Sequence, residues 1–221
     1  MAFQHFFGPM FLGTEIVFTV AAVVFCFLIY FKTKESYELT KYEGIRYFRD
    51  AFLFFGLSYA IRFFFSLVLL SIIAFDFIVP RIMFIPLFIL PLGYFSTIGI
   101  FYLIFSSVWK SFKSRSLLVL GHSAAILLSI ISFITRSHMI LLYFQSALLV
   151  LAMIFSSTMH KSEKRVSHAK VLYFLVALLW LINLWVIDRR RPFSAEIEIF
   201  FELVSLAVFI AIYYKVSKWV K

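Results

Sequence analysis

Arg62 sits near the middle of an apolar stretch, Arg49 to Phe75, that is long enough to cross a bilayer. A guanidinium stays charged in proteins, and placing one at mid-membrane costs about 3 kcal/mol on insertion scales. Such a side chain has to face the protein interior or a wet cavity and has to find a partner. Few acids qualify: Glu15 inside the first apolar run, and Glu198 and Glu202 at the start of the last. Ser58, Arg62 and Ser66 follow each other at i, i+4 and i+8, on one helical face. Glu198, Glu202, Ser205 and Phe209 follow at i, i+4, i+7 and i+11, also on one face. If those faces meet, Glu202 or Glu198 neutralises Arg62, and depth favours Glu202. Glu15, Glu196 and Glu198 have another use, since acids in a first helical turn are favoured by the helix dipole.

The elements that must carry these residues are membrane helices. The chain has 221 residues, of which 63% are hydrophobic and 14% charged. Apolar runs of about 20 residues or more, parted by short basic loops, are the signature of a polytopic helical protein. The expected fold class is all-α, one seven-helix transmembrane domain over residues 1–221. Its spans are predicted at about 11–31, 50–75, 81–108, 117–135, 139–158, 170–187 and 195–214. Residues 32–49 form the longest polar connection and read first as a solvated connector, while Tyr37, Leu39, Tyr42 and Ile45 could also make a short interfacial helix or a partner contact. The opening MAFQHFFGPM lacks a basic n-region, so no secretory signal peptide is expected.

Charge orients the bundle. Fifteen Lys and Arg fall on the side of the odd-numbered loops and the C-terminus, and five on the other. The positive-inside rule then places the N-terminus outside and the C-terminus in the cytosol, in the cell membrane. The net charge of +10 is read as topology, with no nucleic-acid partner expected. At a rise of ~1.5 Å per residue, Glu15 lies roughly 8 Å below the outer surface, and Glu198 and Glu202 roughly 5 and 11 Å below it. Gln145 enters from the same side, and Asn183 and Trp180 approach from below. The outer half is thus the polar half.

Pro80, Pro86 and Pro91 lie at or near the start of the third span, with Gly93 and Gly99 after them. Proline removes a helical hydrogen bond, so this helix is expected to be kinked or locally unwound, with Pro86, Pro91 and Gly93 as hinge. Cys26 is the single cysteine, which excludes an intrachain disulfide. The five histidines are scattered and lack the HxxxH or HExxH spacing of a helix-borne metal site. His122 reads as a hydrogen-bonded interior histidine. No catalytic or cofactor-binding motif is present, so neither enzyme activity nor a cofactor is expected.

Seven spans, an outside N-terminus and a polar outer half resemble the architecture shared by microbial rhodopsins and G-protein-coupled receptors. The resemblance carries no motif. A rhodopsin needs a lysine midway along span seven, where this chain has Ser205-Leu206-Ala207-Val208. The receptor triplet after span three is replaced by Ser107-Val108-Trp109-Lys110. The leading expectation is a stand-alone seven-helix sensor or receptor-like module. Its outward-facing pocket would be lined by Glu15, Arg62, Gln145, Asn183, Glu198 and Glu202, and a cytosolic or membrane partner would carry the signal. The alternative is a small transporter or channel built on an intramembrane Arg–Glu pair.

Overall fold

A computed structural model describes residues 9–75, 81–109, 115–137, 139–159, 166–187 and 195–219. They form seven α-helices: α1 (Pro9–Thr40), α2 (Glu43–Ala74), α3 (Arg81–Val108), α4 (Arg115–Thr135), α5 (Met139–Met159), α6 (Val166–Ile187) and α7 (Ala195–Trp219). Six are long and apolar enough to cross a membrane, and the described apolar part of α6 is the shorter Val171–Leu184. Large apolar side chains such as Val17, Val24, Phe64, Leu120, Leu127 and Phe200 point outward. A soluble domain hides such surface; a multi-pass membrane protein offers it to lipid.

The first connection differs from the sequence expectation. Residues 32–40 continue α1, and residues 43–49 are already the first turns of α2. The polar segment is therefore the end of a helical hairpin closed by Lys41 and Tyr42. Its charges support helix: Lys32 pairs with Glu35 and Arg46 with Glu43 at i, i+3 spacing. Lys41 takes the left-handed conformation (φ 52°) and its N–H bonds to the Tyr37 carbonyl, ending α1. Arg49 then clasps the two helices, lying 5.4 Å from the rings of both Tyr30 and Tyr37 while it pairs with Asp50.

The α1–α2 hairpin packs on through α2 to α3, α3 to α5, α5 to α6, α6 to α7, and α7 back to α1. This closes a ring of six helices, with α4 outside it against α3 and α5. Aromatic side chains fill the ring. Phe55 stacks on Trp180, and Tyr59 sets its ring edge-on to Trp180, Phe18 and Phe209. At the end where α2 begins, Ser106 donates to the Gly44 carbonyl and bonds with Tyr173 of α6.

α3 is helical without interruption from Arg81 to Val108, so the prolines do not unwind it. In membranes, freed carbonyls at such prolines are re-satisfied by their surroundings. The side chain of Pro86 lies outside the described residues, as does Pro80 altogether. Gly93 is a contact point in place of the expected hinge: a Cβ there would come within 2.8 Å of Leu141 on α5 and 3.2 Å of Ser129 on α4. Gly99 is tighter, its Cβ position lying 2.5 Å from the Phe55 ring. Since Phe55 is pinned by Trp180, Gly99→Ala is expected to cost about 1–3 kcal/mol by overpacking. Gly13 faces open space, so Gly13→Ala should be neutral or stabilising by up to about 1 kcal/mol. Thermal unfolding of the two purified variants in detergent checks the contrast.

Candidate functional site

The Arg62 partner is Glu15. Arg62 lies on the α2 face that also buries Ser58, Tyr59 and Ser66; that face turns toward α1, and its Tyr59 reaches Phe209 of α7. Arg62 Nε donates to Glu15 Oε1 and Nη2 to Oε2, the latter at 2.8 Å. This is a side-on, bidentate pair, the strongest arrangement that a guanidinium and a carboxylate can adopt. It is also dry: Glu15 is 0% and Arg62 7% exposed. The Phe18 ring lies 5.5 Å from the guanidinium carbon and covers it from the next turn of α1. Thr19 ties its hydroxyl back to the Glu15 carbonyl, 2.8 Å away, which leaves it out of the ionic contact. The expected Arg62–Glu202 pair is thus corrected. Two helices joined by a two-residue turn lie side by side, and this adjacency gives Arg62 its acid from α1.

Glu202 is nevertheless part of the cluster. α7 packs against α1, and the Glu202 carboxyl, 5% exposed, lies close to that of Glu15 and within electrostatic range of Arg62 and Glu198. The α7 stripe is buried as its spacing predicts, through Glu202, Ser205 and Phe209, while Glu198 is half-buried. Around this junction several buried polar atoms have no hydrogen-bond partner among the described residues: Tyr59 Oη, Arg62 Nη1, Trp180 Nε1 and Glu202 Oε1. Such atoms are rare in folded proteins and each needs an explanation.

The other expected pocket residues go elsewhere. Gln145 donates from Nε2 to Ser96 Oγ (2.7 Å) and Thr97 Oγ1 (2.9 Å), joining α5 to α3. Asn183 donates to its own helix at the Leu179 carbonyl and, at 3.3 Å, to Ser205 Oγ of α7. These are helix–helix joints with their partners in place, so the six residues divide into an ionic junction and two separate polar clasps. His122 of α4, half-buried where an interior position was expected, bonds to Tyr94 (2.9 Å) and Tyr102 (3.3 Å) of α3. An apolar groove of about 480 Å³ lies between α2, α3 and α4, lined by Ile61, Phe64, Leu87, Phe88, Leu90, Pro91 and Phe133. It contains none of the six. Sequence reasoning missed Tyr59 as a member of the junction. Its place three residues before Arg62, on the same helical face, was the available signal.

The two acids are expected to behave differently. Glu15→Gln leaves a buried guanidinium without its counter-ion and should lower unfolding stability by about 3–5 kcal/mol. Glu202→Gln keeps a hydrogen-bond donor toward Glu15 and should change stability by less than about 1 kcal/mol. Denaturant titration of both variants in one detergent measures the difference.

No family model matches the chain, and no solved structure matches it. It is 31% identical over 213 residues to a protein of Archaeoglobus fulgidus described only as uncharacterized, an alignment that covers 94% of this chain and 93% of that one. At that identity, sustained over nearly the whole of both chains, this protein belongs to the same family as the Archaeoglobus fulgidus protein.

Proposed function

We propose that the chain is a seven-helix sensor of the cell membrane, with its N-terminus outside and its C-terminus in the cytosol. The stimulus acts at the Glu15–Arg62–Glu202 junction, and a separate partner carries the output. Seven crossings are supported by the direction of the helices. Glu15 and Glu202 lie near the starts of α1 and α7 and close to each other, as they would on parallel helices. The five helices α2 to α6 between them, joined by six reversals of direction, fit that arrangement. α6 fits that pattern: near its start Tyr173 bonds with Ser106 where α2 begins, and further along Asn183 reaches Ser205, one turn from Glu202. The orientation rests on the fifteen-to-five charge asymmetry.

One observation carries the sensor reading. Beside a satisfied ion pair, Arg62 Nη1 and Glu202 Oε1 are both buried and both lack a partner among the described residues. The junction therefore has bonding capacity that a stimulus can engage. Three helices meet there, so a change in that bonding alters how α7 sits against the α1–α2 hairpin. The hairpin can relay it. α1 has 32 residues, about 48 Å at the helical rise, against about 30 Å of bilayer core. Its excess emerges at the Lys41 end with Leu39 exposed for a partner.

The same excess acid favours a second reading, a small proton-coupled transporter or channel. Against it stand the rings of Phe52, Phe55, Tyr59, Trp180 and Phe209, which are buried inside the helix ring on the path inward. Proteoliposomes loaded with a pH-sensitive dye separate the two readings. The sensor reading expects proton flux equal to that of protein-free vesicles under an imposed gradient. Flux above that background that disappears in Glu202→Gln would establish the transporter instead.

A further inference from the structure

The Glu15–Glu202 contact sets a condition on protons. Both oxygens of Glu15 accept from Arg62, and Glu202, buried on the helix that packs against α1, brings a second carboxyl group close to the first. Two carboxylates cannot hydrogen-bond to each other, because neither has a hydrogen to donate. The contact forms only when one acid keeps its proton. Charge gives the same answer. One guanidinium with two carboxylates leaves a negative charge among apolar helices, whereas one bound proton leaves the group neutral.

The groups facing Glu202 are known from each element around it. α1 presents Glu15, α2 presents Arg62, and α7 itself presents Glu198, while Tyr59 of α2 lies near Arg62 and Glu15. Cys26 of α1 lies behind Tyr59. The described part of α6 brings Trp180 and Asn183, neither of which carries a charge. Among the described residues a single cation thus serves two buried acids, with Glu198 adding to the negative side.

We propose that Glu15 and Glu202 hold one exchangeable proton between them, so that the junction of α1, α2 and α7 is a proton-binding site. This deepens the sensor reading and rests on it, by naming the stimulus as a proton. In the bound state Glu202 donates its O–H to the Glu15 carboxylate. Release breaks that O–H bond: the electron pair stays on Glu202 as a carboxylate, and the proton passes to water on the outer side. Two carboxylates then compete for Arg62. Its Nη1, buried and without a partner among the described residues, is the donor through which Glu202 can be taken up. Arg62 moves from a side-on pair with Glu15 to a bridge between both acids, and α7 shifts relative to the hairpin.

Infrared difference spectroscopy on the full chain in lipid nanodiscs, with steps in pH, tests the site. The expected result at neutral pH is a carbonyl band of a protonated, buried carboxyl group that disappears on alkaline steps. That band should be lost in Glu202→Gln, and in wild-type protein it should shift when glutamate is supplied with a 13C-carboxyl label. The label keeps the test decisive even if the variant does not fold. A spectrum without a label-sensitive band, or a band unchanged in folded Glu202→Gln, overturns the proposal. A glutamate band lost in Glu202→Gln, with Trp fluorescence that ignores the pH step, supports the proton site and rejects the sensor reading alone.

Discussion

A guanidinium in a hydrocarbon layer has to be neutralised within reach of its own side chain, and this structure arranges its first two helices to do so. Arg62 cannot shed its charge, and Glu15 meets it with two parallel hydrogen bonds and no exposure to solvent. The pair needs α1 and α2 side by side along their length. The two-residue turn at Lys41 and Tyr42, the Arg49 clasp and the close approach of Gly56 to Cys26 all serve that requirement. A buried pair of this kind adds little net stability over apolar packing, but losing either partner is costly. It fixes the relation of the helices more than it strengthens the bundle.

Glu202 changes what such a pair can do. An isolated Arg–Glu pair is a static tie, closed to anything else. A third ionisable group brought from α7 makes the tie a choice between two arrangements, and it places that choice where three helices meet. Arg62, Glu202, Tyr59 and Trp180 each bury a polar atom without a partner among the described residues, and the Tyr59 and Trp180 rings are in contact. Trp180 links α6 to the middle of α2 through its stack on Phe55 and its contact with Tyr59, one helical turn from Arg62. The clasps at Gln145 and Asn183 tie α5 to α3 and α6 to α7 through their amide hydrogens.

Much of this was legible in the residues. The helices follow from apolar runs of spanning length, and the buried faces of α2 and α7 follow from the spacing of Ser58, Arg62, Ser66 and of Glu202, Ser205, Phe209. What period alone does not reveal is which helix lies beside which. Glu15 and Glu202 sit at similar depths, so depth did not separate them. Residues 32–49 looked like a long polar connector because Lys and Glu suit solvated loops and helix ends equally. Read as helix, they leave a turn of two residues, and short turns put consecutive helices in contact. That would have pointed to Glu15. The grouping of six polar residues into one pocket failed for a related reason. Gln145 and Asn183 find hydroxyl partners on adjacent helices, and such partners are invisible until the packing is known.

The most direct measurement is a pair of double-mutant cycles on unfolding stability in detergent, one coupling Arg62→Met with Glu15→Leu and the other Arg62→Met with Glu202→Leu. Coupling between contacting residues spans about 0.5–3 kcal/mol. The account predicts a Glu15–Arg62 value at the upper end of that range and a Glu202–Arg62 value near the lower end. A larger coupling for Glu202 than for Glu15 would contradict it.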